Sequence, residues 1–288
     1  GGNDYSVFAA GMKSIPVFGP GETVEAIHKM LQEVNTTPEF HAVPQFPENP
    51  VVYFCAEYAF EPNSLMYAGG LGILAGDYVL QAADLDKPFI AVGLHYGKVI
   101  PSGFCLLKDV IIEVPIKKEK VKAKVWHRAF SKNTHALLLD TNIPENSPEH
   151  QKITEHLYDI DFYTRIYQQL VLGIGGVRLL KHLNISPKIY HLNEGHTSFA
   201  ALGIIVERKE DLGKIVGSKH TILSAAGLQI SQADIEEIIG PYCRKARVKV
   251  EKVFEKGKFE LSPGFFSTTK FMVESAVRKN GVSALHVV

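Results

Sequence analysis

The sequence predicts an open, mostly parallel, doubly wound α/β sheet of the Rossmann-like kind, with a small antiparallel β insertion. Three observations lead there. Two apolar runs, residues 51–56 and 88–94, carry no polar alternation, as expected of strands covered on both faces. Such runs alternate with helical patterns across short connections. Clean period-two alternation is confined to one region, around Val121, Ala123 and Val125.

Taken in order, residues 22–35 predict a helix with Ile27, Met30, Leu31 and Val34 on one face. A polar, proline-rich connector over 36–50 leads to the buried strand Val51-Val52-Tyr53-Phe54-Cys55-Ala56. A glycine-rich turn then opens a helix over 70–84, and residues 88–94 form a second buried strand. Residues 104–140 hold the antiparallel insertion. There Lys120, Lys122 and Lys124 alternate with apolar residues and read as a solvated or edge-protecting face rather than an anion patch. A loop over 141–148 precedes a helix over 161–183, whose Ile166, Leu170 and Ile174 share a stripe. Gly173, Gly175 and Gly176 inside it imply close approach of another element. Strands at 188–192, 219–223 and 282–287 then alternate with helices at 195–207, 231–240 and 267–279. The division is an N-terminal helix and connector over 1–50 and one Rossmann-like domain over 51–288.

Composition narrows the function. Lys plus Arg number 31 and Asp plus Glu 31, so the formal net charge is zero. That gives no electrostatic footprint for nucleic acid or an anionic membrane. No run approaches the roughly 18–20 apolar residues of a membrane span. Gly1-Gly2-Asn3-Asp4-Tyr5 lacks the basic and apolar regions of a secretory signal. Cys55, Cys105 and Cys243 are far apart, with no C-x-x-C pair, which excludes a zinc knuckle or disulfide framework and is expected of a reducing cytoplasm. Cys55 reads as a buried core thiol.

Three segments carry polar chemistry at strand ends, where open α/β sheets bind ligands. The first, Tyr67-Ala68-Gly69-Gly70-Leu71-Gly72, lies between strand and helix. Glycines let backbone N–H groups approach an anion, and the helix N-terminus adds partial positive charge. It matches neither G-x-G-x-x-G nor a Walker loop, and a tight turn that binds nothing is an equal alternative. The second is His191-Leu192-Asn193-Glu194-Gly195-His196. Its spacing does not match helical H-E-x-x-H, which speaks against a metal; helix capping by Asn193 is the plainer alternative. The third is His220, in the strand over 219–223 that leads into a small polar loop, where a lone histidine is more often structural than functional. No Ser/His/Asp order or G-x-S-x-G elbow is present.

Together these segments resemble the α-glucan (glycogen, starch or maltodextrin) phosphorylase family, over about residues 51–288. The matching stretches are Tyr53-Phe54-Cys55-Ala56-Glu57-Tyr58, the Gly69–Asp77 region, Leu139-Asp140-Thr141-Asn142-Ile143-Pro144-Glu145-Asn146, Thr164-Arg165-Ile166 with Leu172-Gly173-Ile174-Gly175-Gly176-Val177-Arg178, residues 191–196, His220-Thr221, and Asn280-Gly281-Val282-Ser283 with Leu285-His286. The resemblance implies the N-terminal half of a two-Rossmann-domain glycosyltransferase. Such an enzyme cleaves α-1,4-glucan ends with phosphate to give glucose 1-phosphate, using pyridoxal phosphate. It implies that Gly69, Gly70, Leu71 and Gly72 face phosphate and sugar, that Asn193, Glu194 and His196 line the substrate side, and that His220 contacts the reacting glucose as the catalytic residue. Partners so implied are α-1,4-glucan, phosphate, a C-terminal domain carrying the cofactor lysine, and a second copy in a homodimer.

Two departures qualify it. Residues 222–227 replace the proline-containing loop that usually follows His-Thr, and Gln169 stands where the family has Glu after Arg-x-x-Gln. Residues 280–286 resemble the end of the N-terminal half, so the cofactor domain is expected to be absent and this chain alone to be inactive. Two other readings stay open: the N-terminal domain of a nucleotide-sugar glucan synthase, and a non-catalytic glucan- or phosphate-binding module. Synthases place a lysine before the glycine turn, where this chain has Tyr67-Ala68.

Overall fold

A computed structural model describes residues 39–40, 42–61, 66–221 and 227–282. The expected helix over 22–35 lies outside them, as do residues 222–226 and 283–288. The described chain builds a nine-stranded mixed sheet of β1 (Glu39–Phe40), β2 (Val51–Phe54), β3 (Phe89–Leu94), β4 (Cys105–Ile116), β5 (Glu119–Ala129), β6 (Thr134–Asp140), β7 (Ile189–Asn193), β8 (Ile215–Lys219) and β11 (Arg278–Gly281), in the order β1-β4-β5-β6-β3-β2-β7-β8-β11. A separate pair, β9 (Gln229–Ser231) and β10 (Phe265–Ser267), runs antiparallel.

Strands β6, β3, β2, β7, β8 and β11 are mutually parallel. Their C-terminal ends therefore share one edge, and the pairing of Phe54 with both Val92 and Leu192 sets the register at its centre. All six residues of β3 and all seven of β6 are buried, which is why their sequences show no polar alternation.

The expected antiparallel insertion is the β4–β5 hairpin, continuous with the main sheet. Because β5 is paired on both sides, its lysines guard no edge. Lys120 and Lys124 instead reach Glu113 and Asp140, at 2.7 and 3.3 Å.

Helices α1 (Gly70–Asp84), α2 (Pro148–Gln151), α3 (Phe162–Leu170), α4 (Gly176–His182), α5 (Ser198–Glu207), α6 (Gln232–Lys245), α7 (Val250–Gly257) and α8 (Thr268–Ser275) link the strands. Asp161, Ser231 and Ser267 cap α3, α6 and α8 by accepting from the third following amide. A π-helical turn, Val171–Gly175, joins α3 to α4. A side chain at Gly173 would strike the backbone of Phe199 and Ala200, so the glycine admits α5, as the sequence implied.

Three elements have bounds that differ from expectation. The strand expected over 219–223 is β8, Ile215–Lys219, four residues earlier. Its centre, Gly217-Ser218, has little apolar pattern, and pairing to β7 fixes its position. The helix expected over 267–279 ends at Ser275, where Ala276 turns extended (φ −78°, ψ 133°). The next strand is Arg278–Gly281, ahead of the expected 282–287, of which only Val282 is described. Its polar sequence hides a strand that only the parallel ladder to β8 creates. Helix α7 and the β9–β10 pair have no counterpart in the sequence reading.

Candidate functional site

Four strand ends at the C-terminal edge assemble the site. After β2 the chain runs through Cys55, Ala56 and the buried Glu57. Glu57 Oε2 accepts from the amides of Ala68 and Gly69, at 2.7 and 3.3 Å. Ala59 N–H donates to Gly72 O at 2.9 Å. A Cβ on Gly72 would meet Glu57 Oε2 at 2.9 Å, so the turn lies directly on this carboxylate.

The anchored turn presents its outer face openly. Gly69 and Gly70 are exposed, and an added Cβ at either would meet nothing within 4 Å. The amides of Gly70 and Leu71 make no hydrogen bond among the described residues, while Gly72 N–H returns to Gly69 O at 3.1 Å. Two free amides at the head of a 15-residue helix suit an anion.

Strand β7 ends in Asn193, whose side chain bridges neighbouring strands. Its Nδ2 donates to Cys55 Sγ at 3.3 Å, and its Oδ1 lies 2.5 Å from His220 Nε2. Burial pushes the Cys55 thiol up to about 12, so it is a neutral packing group. Glu194 sits at φ +73°, outside the usual range for a side-chain-bearing residue. In that conformation its Oε2 accepts from the amides of His220 and Thr221, at 2.8 and 3.1 Å, and its Oε1 from Gly195 N–H at 3.1 Å. Glu194 thus fixes the chain leaving β8. The structure brings Asn193, Glu194 and His220 into one hydrogen-bonded corner.

His196 lies in the single 3-10 turn Gly195–Thr197 before α5. A side chain at Gly195 would collide with Thr269, so this turn is packed against α8. His196 Nε2 is buried without a hydrogen-bond partner. Burial depresses His196 to about 4; nearby Glu194 works against that and His220 with it. His191, bonded to Ser218 Oγ at 2.7 Å, is depressed to about 4 by burial and then by His220. Both imidazoles are neutral at neutral pH.

A cavity of about 170 Å³ lies beside this corner, lined by Glu194, His196, Thr221, Tyr96, Tyr158 and Arg165 among others. Tyr158 donates to Glu57 Oε1 at 2.6 Å. The residue that anchors the glycine turn therefore also holds one residue of the cavity wall, which Glu194 and His196 line and Asn193, His220 and the turn glycines do not. Sequence reasoning did not assign Glu57, Tyr158 or Arg165 to the site. Glu57 lies within the matching stretch 53–58, and Arg165 is one helical turn from Gln169; those were the available signals. Among the described residues no group of three or more His, Cys, Asp or Glu side chains is placed to hold a metal ion. No helix there is long and apolar enough to cross a membrane.

No family model matches the chain. It is 33% identical over 279 residues to a maltodextrin phosphorylase of Thermococcus litoralis, covering 83% of this chain and 32% of that protein. It is 32% identical over 281 residues to a glycogen phosphorylase of Aquifex aeolicus, covering 83% and 40%. In fold it is similar to the catalytic domain of Starch Synthase IV from Arabidopsis thaliana bound to ADP and acarbose, with a TM-score of 0.60, 14% identity, and coverage of 81% of this chain and 44% of that one. The chain spans about a third of the length of the curated relatives it matches. Along most of its length the chain is similar in sequence to about a third of these phosphorylases, and in fold to a glucan synthase's catalytic domain.

Proposed function

We propose that this domain supplies one wall of a glycosyltransferase site that moves glucose from α-1,4-glucan ends to phosphate, giving glucose 1-phosphate. The observation that supports the reading is that Glu57 holds both the open glycine turn and Tyr158, and that Tyr158 lines one cavity with Glu194, the carboxylate that fixes the backbone of His220. In this reading the amides of Gly70 and Leu71 orient an anionic phosphate, and the α1 dipole offsets its charge without reorganisation. Gly69 and Gly72 shape the turn. Asn193 fixes the His220 ring against the glucose at the reacting centre, and Glu194 holds the backbone that carries His220. His196 borders the same space as a neutral group.

In full-length relatives pyridoxal phosphate would supply an acid/base phosphate. No lysine lines the cavity here, so the described residues do not fit the aldehyde end of that group, and no step runs through it. The cofactor lysine belongs, in this reading, to a C-terminal domain of the same protein, and the chain alone does not turn over. Three unpaired thiols accord with the cytoplasm as its compartment.

The test is phosphate release from glucose 1-phosphate with maltoheptaose, measured for this chain alone and for a longer polypeptide that includes the second half. Release only from the longer protein is the expected result. Transfer from a nucleotide sugar with no phosphorolysis would overturn the assignment.

A further inference from the structure

The zero net charge of the chain conceals a local imbalance. Residues 244–258 hold seven Lys or Arg against two Glu. They cover the end of α6, the turn after it, and α7. On α7 the residues Val250, Val253, Phe254 and Gly257 are buried against the domain. Lys249 at its head, with Lys252 and Lys256, follows the spacing i, i+3 and i+7, so the three share one flank of the helix. Glu251 and Glu255 fall on the other flank. Lys245 and Arg247 carry the basic stripe back through the turn, and all five cations are exposed.

These charges are unanswered within the domain. The side chains of Lys245, Arg247, Lys249, Lys252 and Lys256 make no ion pair or hydrogen bond among the described residues. The carboxylates that could have met them are engaged elsewhere. Glu236 pairs with Arg244, Glu237 with Lys117, Glu255 with Lys258, and Glu260 and Glu274 with Lys270. Of the glutamates on α6, α7, α8 and the turn between α7 and β10, only Glu251 has no cation partner among the described residues.

An apolar residue stands beside the stripe. Lys256 and Lys258 line an open depression with Phe259 and Pro263. The chain there makes a tight turn, in which Ser262 N–H donates to Phe259 O at 3.1 Å and Phe265 N–H to Ser262 O at 2.9 Å. Within it Leu261 is 75% exposed.

We infer that this face is a docking surface for an anionic lipid bilayer, held by the five cations and by insertion of Leu261. Two signals together are what peripheral attachment needs, because neither a few lysines nor one apolar side chain suffices alone. A nucleic-acid strand fits less well, since no aromatic ring stands among the five cations to stack a base. An acidic polypeptide answers the cations but gives the exposed leucine no partner. Zero net charge is no obstacle: beyond about 8 Å at physiological salt the rest of the chain is screened, and the facing cations dominate. The surface shares no residue with the glycine turn or with the Asn193–Glu194–His220 corner, so it stands or falls apart from the proposed reaction.

The experiment is sedimentation of the 288-residue chain with vesicles, either of phosphatidylcholine alone or with roughly a third phosphatidylserine. Saturable binding to the second kind only, weakening as salt rises, is expected. Joint Lys249→Gln, Lys252→Gln and Lys256→Gln should weaken it about a hundredfold, at about fivefold per charge. The same three positions changed to Arg should bind like the wild type. Leu261→Ser should weaken binding about tenfold. Joint Lys87→Gln, Lys98→Gln and Lys152→Gln, an equal loss of charge elsewhere on the surface, should change it by less than about threefold. Thermal unfolding identifies any variant that fails to fold; if the first Gln triple does, Lys252→Gln alone, about fivefold weaker, decides. No saturable binding to the anionic vesicles, equal binding to both kinds, loss in the Arg variant, equal loss in the second Gln triple, or no loss in Leu261→Ser would overturn the inference. So would stripe-dependent binding of polyglutamate or single-stranded DNA with the vesicles left unbound.

Discussion

Two buried carboxylates stand at the same edge of the sheet and have opposite surroundings. Asp140 ends β6. Its oxygens accept from Trp126 Nε1 at 3.0 Å, Asn142 N–H at 2.8 Å and Thr154 Oγ1 at 3.3 Å, and pair with Lys124 at 3.3 Å. His95 Nδ1 lies 3.4 Å away, near enough for a charge contact though outside hydrogen-bond geometry. Burial alone would raise the Asp140 carboxyl, but His95, Lys124 and Trp126 hold it below the usual range. Glu194 follows β7, in a left-handed backbone conformation, and is surrounded mostly by main-chain amides. Beside it a cavity opens, with polar atoms unmatched. The difference teaches how to separate a structural polar network from a functional one. The first ties a carboxylate to two strand side chains, a loop amide and Thr154, all in satisfied contacts. The second holds backbone in an unfavourable conformation next to space.

The largest expected effect falls on the structural carboxylate. Asp140→Ala leaves Trp126 and Lys124 facing an apolar site and should lower the unfolding free energy by about 3 kcal/mol, read by urea denaturation. Ligand affinity should be little changed. Equal or greater destabilisation by Glu194→Gln would erase the distinction. That substitution keeps an acceptor for the amides, so about 1–2 kcal/mol is expected.

Acidification sharpens the contrast. The unfolded chain protonates His191 and His196 near 6.5, the folded chain only near 4. Stability at the site therefore falls as pH drops from about 6.5 toward about 4, and is level above that window. The depressed Asp140 acts lower: its contribution is complete above its unfolded value of 3.8 and fades only beneath it. In His196→Gln the decline between about 6.5 and 4 should become shallower, measured by thermal unfolding across pH. An unchanged slope would mean that other groups carry it, the buried His127–His135 pair foremost. The smallest effect is that of Tyr158→Phe, which removes one partly exposed hydrogen bond to Glu57. It should cost less than about 1 kcal/mol and leave the fold intact.

Much of the parallel core was legible in residues 51–56 and 88–94, because a strand buried on both faces must be apolar throughout. The close approach at Gly173 was legible for a related reason: a glycine inside a helical pattern costs stability unless something packs there. Strands β8 and β11 were not. Gly217-Ser218 and Arg278-Lys279-Asn280 have no pattern of their own, and neighbouring strands supply what local preference lacks. Among site residues, Asn193, Glu194 and His220 could be singled out as polar groups at strand ends, whereas Glu57 looked like the tail of a strand.

By itself the sequence determined the class of fold, the strand edge at which chemistry collects, and the likeness to α-glucan phosphorylases. These follow from periodicity and from motifs short enough to read along the chain. Only the tertiary structure decided that Glu57 anchors the glycine turn, that Tyr158 couples that turn to the cavity, and that Arg165, Gln169 and His196 share a wall. Residues 57 and 158 are 101 positions apart and meet through one hydrogen bond. A contact across such a separation depends on how the sheet and helices pack, and no local pattern encodes it.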